Sequence, residues 1–87
     1  MEDIIMSVLT SEGTVFLDRV SSANLPTDFG SLGVLRGHAP MLCAVSRGVV
    51  RCTKISGGQA RIQIGDGIAS VEDDHLTLLV STAEVLK

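Results

Sequence analysis

Apolar and polar residues alternate along most of this chain, and a period of two predicts strands. Ala60, Ile62 and Ile64 alternate with Arg61 and Gln63, the pattern of an antiparallel strand with one face on a core. Val50 and Cys52 share one face, while Arg51 and Thr53 take the other. Leu76, Leu78 and Val80 form the inward face of a last strand. The first segment is apolar at most positions, with Ile4, Met6 and Val8 interleaved with Ile5, Ser7 and Leu9. Thr14–Val20 is β-branched and aromatic enough for a second strand. Beyond it, Ala23 and Leu25 fall out of phase with Val20. That change of parity predicts a bulge at Ser21-Ser22, bending the strand from one sheet towards the other.

Turn signals punctuate these segments at Glu12-Gly13, Pro26-Thr27-Asp28, Ser46-Arg47-Gly48, Ser56-Gly57-Gly58, Asp66-Gly67 and Glu72-Asp73-Asp74. Asp66-Gly67 is the strongest short hairpin signal among them. They recur every 8–12 residues or so, and no helical period is sustained between them. The fold class expected is therefore all-β, a two-sheet antiparallel β-sandwich or flattened barrel. Thr82–Lys87 is the one helix-like piece, too short to be stable alone. With no repeat, low-complexity tract or linker, residues 1–87 are expected to form a single domain.

The stretch Gly30–Leu42 stands apart. Gly30, Gly33, Gly37 and Pro40 interrupt its apolar residues, and the expectation is a shaped loop leading into a strand over Met41–Val45. His38 is the polar ring at its tip. By pattern alone it reads equally as a turn residue or an interface residue. Shaped loops are where small β domains usually keep their function.

Composition narrows the possible partners. Hydrophobic residues make up 45% of the chain but Phe16 and Phe29 are its only aromatics, so the core must come from Ile, Leu and Val. A net charge of −3 leaves no basic patch, which argues against nucleic acid. Met1-Glu2-Asp3 is acidic where a secretory signal is basic, and no apolar run approaches the roughly 20 residues of a membrane span. The chain is expected to stay in the compartment where it is made, with no direct membrane insertion.

Candidate chemistry is thin. Cys43 and Cys52 are open to three readings: a disulfide, a metal site completed by His38 and His75, or two small buried hydrophobes in a reducing cytosol. No Cys-x-x-Cys or His-x-x-x-His spacing supports the metal. Gly65-Asp66-Gly67 faintly resembles a phosphate loop, but such a loop needs a following helix, and Ile68–Val71 reads as strand. No Ser or Cys is tied to a histidine by a recognisable nucleophile spacing. His75 and Glu72–Asp74 read as a solvated turn rather than a calcium loop. The expectation is no catalytic residue, no cofactor and no metal.

Against this background, Leu32-Gly33-Val34-Leu35-Arg36-Gly37-His38-Ala39-Pro40-Met41-Leu42 closely resembles the Gly-Glu-Leu-Gly-Ile-Leu-Pro-Gly-His-Ala-Pro-Leu-Leu signature of the epsilon subunit of rotary F-type ATP synthases. Val15-Phe16, Ala23-Asn24-Leu25-Pro26-Thr27, Gly48-Val49-Val50-Arg51 and Leu76–Glu84 fit the same family in order. The resemblance covers almost the whole length and implies the N-terminal β-sandwich domain of that subunit. It implies a non-catalytic part of the central stalk, peripheral at the cytoplasmic face of the bacterial plasma membrane. There it clamps the gamma subunit and rests on the c-ring, coupling proton flow to ATP synthesis.

Carried over by position, the resemblance implies that Thr10, His38, Met41 and Cys43 face the gamma subunit. It implies that the loop Asp28-Phe29-Gly30-Ser31 faces the c-ring. The sequence departs from the family at Ser31, where Glu is common, at Arg36, where Pro is usual, and at Gly65-Asp66-Gly67, where Ser-Gly-Gly is common. Family members usually continue into a C-terminal helical hairpin, and Lys87 stands where that hairpin begins. The expectation is assembly and coupling without strong restraint of hydrolysis or ATP binding. The rival readings are a free-standing β-sandwich adaptor or ligand-binding module, and a small redox or metal protein using Cys43 and Cys52.

Overall fold

A computed structural model describes residues 3–87, so Met1 and Glu2 of the acidic start lie outside them. Among the described residues the chain is all-β, with strands β1 (Ile4–Thr10), β2 (Gly13–Thr27), β3 (Gly30–Leu35), β4 (Met41–Val45), β5 (Gly48–Lys54), β6 (Gln59–Ile64), β7 (Gly67–Glu72), β8 (His75–Val80) and β9 (Ala83–Leu86). The strands follow the order β4-β7-β8-β1-β2-β5-β6-β9, with β3 branching from β2. The 15-residue β2 is the hinge of the whole arrangement. Its first half pairs with β1, its second half pairs with β3 and β5, and its register against β5 shifts between Val20 and Ser22. The bulge expected at Ser21-Ser22 is there, and it is what lets one strand serve two layers.

Inside, the alternation read from the sequence becomes one core. Ile4, Met6, Val8, Leu25, Val34, Val50, Ile62, Ile64, Leu76 and Leu78 are all at most 1% exposed. Each such side chain contributes about 1.5–3 kcal/mol by leaving water. No buried polar or charged residue interrupts this core among the described residues.

Three expectations need correction. Gly30–Leu35 is a strand rather than part of a loop: it pairs with β2 from Thr27↔Gly30 to Ser22↔Leu35, with Val34 buried and Leu32 half-buried inward. Two glycines hid its period of two. The Pro26-Thr27-Asp28 signal does close β2, which ends at Thr27; Pro26 is still in the ladder opposite Ser31, and its carbonyl accepts the Ser46 N–H at 3.0 Å. Asp66-Gly67 is not a hairpin but a crossing between layers, since β6 pairs with β5 and β9 whereas β7 pairs with β4 and β8. Gly67 is needed there for close approach: a Cβ would collide with the Leu79 carbonyl and come within 2.7 Å of Val80 Cα. Thr82–Lys87 forms no helix; Ala83–Leu86 adds an antiparallel edge to β6, where ladder hydrogen bonds replace those a lone turn of helix cannot sustain.

One pairing departs from the antiparallel expectation: β1 and β8 run parallel, from Ile5↔His75 to Leu9↔Leu79. Two-residue hairpins lie instead at Ser11-Glu12, Asp28-Phe29 and Asp73-Asp74, the last with both residues at positive φ (52° and 60°) between the paired Glu72 and His75. Aspartate tolerates that left-handed region better than most residues.

Candidate functional site: docking surfaces

The residues singled out by sequence fall at three places. Thr10 ends β1, where its Oγ1 accepts the Glu12 N–H at 3.1 Å and closes the turn into β2. His38 lies at the other end of that strand's neighbourhood. The link runs through Asp74, whose carbonyl accepts the Ile5 N–H at 3.0 Å and whose carboxylate reaches the His38 loop. Ile5 and Thr10 are five residues apart on one strand, about 17 Å at the usual rise. Thr10 and His38 therefore do not form one cluster but bracket the outer face of the sheet between them.

The His38 loop, residues 36–40, is held by a few bonds. The His38 N–H donates to the Leu35 carbonyl at 3.1 Å. Gly37 sits at φ 82° and its N–H donates to Asp74 Oδ1 at 2.8 Å. Arg36 Nε lies 3.4 Å from Asp74 Oδ2. The Gly37 N–H holds the Asp74 carboxyl below the usual carboxylate range, against partial desolvation, with help from Arg36 and from the charge of His75. His38 Nδ1 lies 2.8 Å from the Ala39 carbonyl, which can only accept. Nδ1 is therefore the donor, and Nε2 of the neutral ring is left as an acceptor.

Met41 and Cys43 lie on the inward phase of β4, half-buried and packed against the core. The outward residues of that strand are Leu42 and Ala44. Cys52 is buried opposite Ala60, and burial pushes its thiol above the ordinary value. Both cysteines are free thiols.

The Asp28–Ser31 turn is closed by Thr27, whose hydroxyl donates to the Gly30 carbonyl at 2.6 Å and accepts the Phe29 N–H at 3.2 Å. Gly30 supplies φ 110°, and Phe29 stands fully in solvent. Asp28, Phe29, Ser31 and Cys43 line one cleft of about 370 Å³, so a residue carried over to one partner meets the turn carried over to another.

Sequence reasoning missed the most extensive feature. Leu42, Ile68, Leu79 and Leu17 are 74%, 49%, 58% and 65% exposed. Register joins Ala44, Ile68, Leu79 and Leu9 into a row across β4, β7, β8 and β1. A second row runs Leu42, Ser70, Thr77, Ser7 and Leu17. A third, Glu72, His75, Ile5 and Arg19, is mainly polar and forms a rim towards the His38 loop. The signal was present: Leu79 and Ile68 are large and apolar on the outward phase of strands whose inward phase is already filled. Contiguous apolar surface of this kind marks interaction sites. No group of three or more metal-ligating side chains comes together among the described residues.

Comparison with known proteins gives this surface its context. A family model described as "ATP synthase, Delta/Epsilon chain, beta-sandwich domain" matches residues 3–85. The ATP synthase epsilon chain of Prochloron didemni is 41% identical over 80 residues, covering 92% of this chain and 58% of that protein. The epsilon chain of Prochlorococcus marinus is 38% identical over 82 residues, covering 94% and 60% respectively. The chain thus spans about 60% of the length of these relatives. Among solved structures, a chain of the Euglena gracilis mitochondrial ATP synthase superposes with a TM-score of 0.87 at 21% identity, covering 95% of this chain and 53% of that one. A chain from the central stalk and c-ring of the Tetrahymena thermophila mitochondrial ATP synthase gives 0.76 at 15% identity, covering 93% and 65%. At those identities the likeness is one of fold.

Proposed function

We propose that this chain, which belongs to the ATP synthase delta/epsilon-chain β-sandwich family, is a non-catalytic central-stalk subunit of an F-type ATP synthase. The observation that carries the reading is a family match running along residues 3–85, almost end to end. Residues 1–87 act as one domain, docking on the gamma subunit and on the c-ring at the cytoplasmic face of a bacterial plasma membrane. The chain passes torque and holds no cofactor.

The geometry supports a division of labour. The outer face of β4-β7-β8-β1 meets the gamma subunit, with Thr10 at one end and the His38 loop at the other. Leu42, Ile68 and Leu79 supply the water-excluding centre that such an interface requires, and His75, Glu72 and Arg19 its polar rim. The turn Asp28–Ser31, with Phe29 fully exposed and Asp28 as its acid, meets the polar loops of the c-ring. A sandwich with an uninterrupted apolar core has few soft modes, which suits a body that transmits torque.

The test is capture of the gamma subunit by this chain. Leu42→Asp and His38→Glu are each expected to weaken capture while leaving the thermal transition in place. A charge left unpaired at such a centre costs several kcal/mol, roughly the scale of a hot-spot residue. Unchanged affinity in both variants would remove this docking face and favour a free-standing adaptor.

A further inference from the structure

Given the docking role of the His38 loop, on which this rests, we propose that Asp74 is the positioning residue that holds that loop in its binding-competent form. Asp74 is not in the loop and is 36 residues beyond His38 in sequence. Its backbone sits at φ 60° in the β7–β8 turn, and this aims the carboxylate across at residues 36 and 37. One oxygen takes the Gly37 N–H at 2.8 Å and the other faces Arg36 Nε at 3.4 Å. The same residue's carbonyl takes the Ile5 N–H at 3.0 Å, so the anchor is itself fastened to β1.

The loop needs such an anchor. Residues 36–40 lie outside every strand, and Pro40 has no N–H to contribute. Gly37, at φ 82°, is the pivot with the widest choice of conformations, and it is the residue whose N–H is pinned. A charge-assisted bond at that pivot removes the alternatives, and with it the ordering cost that a partner would otherwise have to meet on binding. His38 follows Gly37 directly, and Met41 opens β4 three residues later, so both inherit the geometry set there.

Two substitutions separate the carboxylate from the turn that carries it. Asp74→Gly keeps the left-handed turn, which glycine adopts without strain, and deletes the carboxylate. Asp74→Asn keeps an acceptor for the Gly37 N–H and deletes the charge facing Arg36. In the free chain, hydrogen exchange at the Gly37 amide should accelerate by about tenfold in Asp74→Gly and less in Asp74→Asn, while Ile62 and Leu78 keep their protection. Affinity for the gamma subunit should fall by about tenfold in Asp74→Gly and be partly rescued in Asp74→Asn. Gly37 exchange unchanged in Asp74→Gly overturns the anchor itself, whatever binding does. Faster exchange with unchanged affinity, in a background where His38→Glu still weakens capture, overturns the positioning role and leaves the docking face intact. If His38→Glu is also without effect, the docking reading fails and the positioning role fails with it.

Discussion

The two layers of the sandwich are alike on the inside and unlike on the outside. The β4-β7-β8-β1 layer turns Val8, Ala69, Leu76 and Leu78 inward; the layer of β3, the second half of β2, β5, β6 and β9 turns Leu25, Val34, Val50, Ile62 and Ile64 inward. Neither set is more than 1% exposed, so the core does not distinguish the layers. Their outer faces do. Across the second layer run Asn24, Arg51 and Arg61 in one row and Ser22, Thr53 and Gln59 in another, with Gln63 and Glu84 beside them. Leu35 and the fringe residue Ile55 are its exceptions. Across the first run Leu42, Leu17, Ala44, Ile68, Leu79 and Leu9. Folding requires one apolar face per sheet; a second on the same sheet needs a different reason, and docking supplies it.

The contrast is broken most forcefully at Leu78 and Leu79, adjacent residues on opposite faces. Leu78→Ala should lower unfolding free energy by about 2–5 kcal/mol through lost burial and a cavity. Leu79→Ala should stay within about 0.5 kcal/mol, as at other surface sites. Denaturant midpoints of the two variants check this, and equal losses would mean that Leu79 is core in solution.

Binding should reverse that order. Leu42→Asp with Leu79→Asp should reduce gamma-subunit affinity by at least about 30-fold, the scale of a hot-spot loss. Arg51→Asp with Gln63→Asp on the opposite layer should change it by no more than about twofold. Titration calorimetry on both pairs decides which face docks.

The cysteines offer a smaller test of inside against edge. Cys52→Ser should cost about 1–3 kcal/mol by placing a hydroxyl among apolar neighbours, whereas Cys43→Ser at the edge strand should cost less. Burial raises the Cys52 thiol pKa, so the folded chain keeps the thiol neutral. Its contribution to stability is full below the ordinary thiol range and is lost as pH rises through the raised folded value. Thiol labelling of the native chain should modify Cys43 first; faster labelling of Cys52 would contradict its burial.

The remaining test is one of pH, at Asp74. The Gly37 N–H and Arg36 favour its ionised form, so the folded-state pKa lies below the unfolded one. Its contribution is present above the ordinary carboxylate range and is lost as pH falls through the lowered value. The Gly37 amide resonance should titrate with an inflection below the ordinary carboxylate range. An inflection at or above it would mean that the bond is not kept in solution.

Much of this protein follows from its sequence alone. The inward residues of β5, β6 and β8, the bulge at Ser21-Ser22 and the all-β class come from alternation and its one change of parity, which are local properties of an extended chain. The family signature around Gly37-His38-Ala39-Pro40 is local as well. What pairs with what is not local. Gly30–Leu35 became a strand because β2 offered it a ladder, and Ala83–Leu86 became one because β6 had a free edge. Asp66-Gly67 became a crossing because β7 found its partners in the other layer. The exposed rows through Leu42, Ile68 and Leu79 exist only once four strands from distant parts of the chain lie side by side. Asp74 meets Gly37 for the same reason: hydrogen bonds between remote segments are chosen by the packing of the whole sandwich, which no short stretch of sequence encodes.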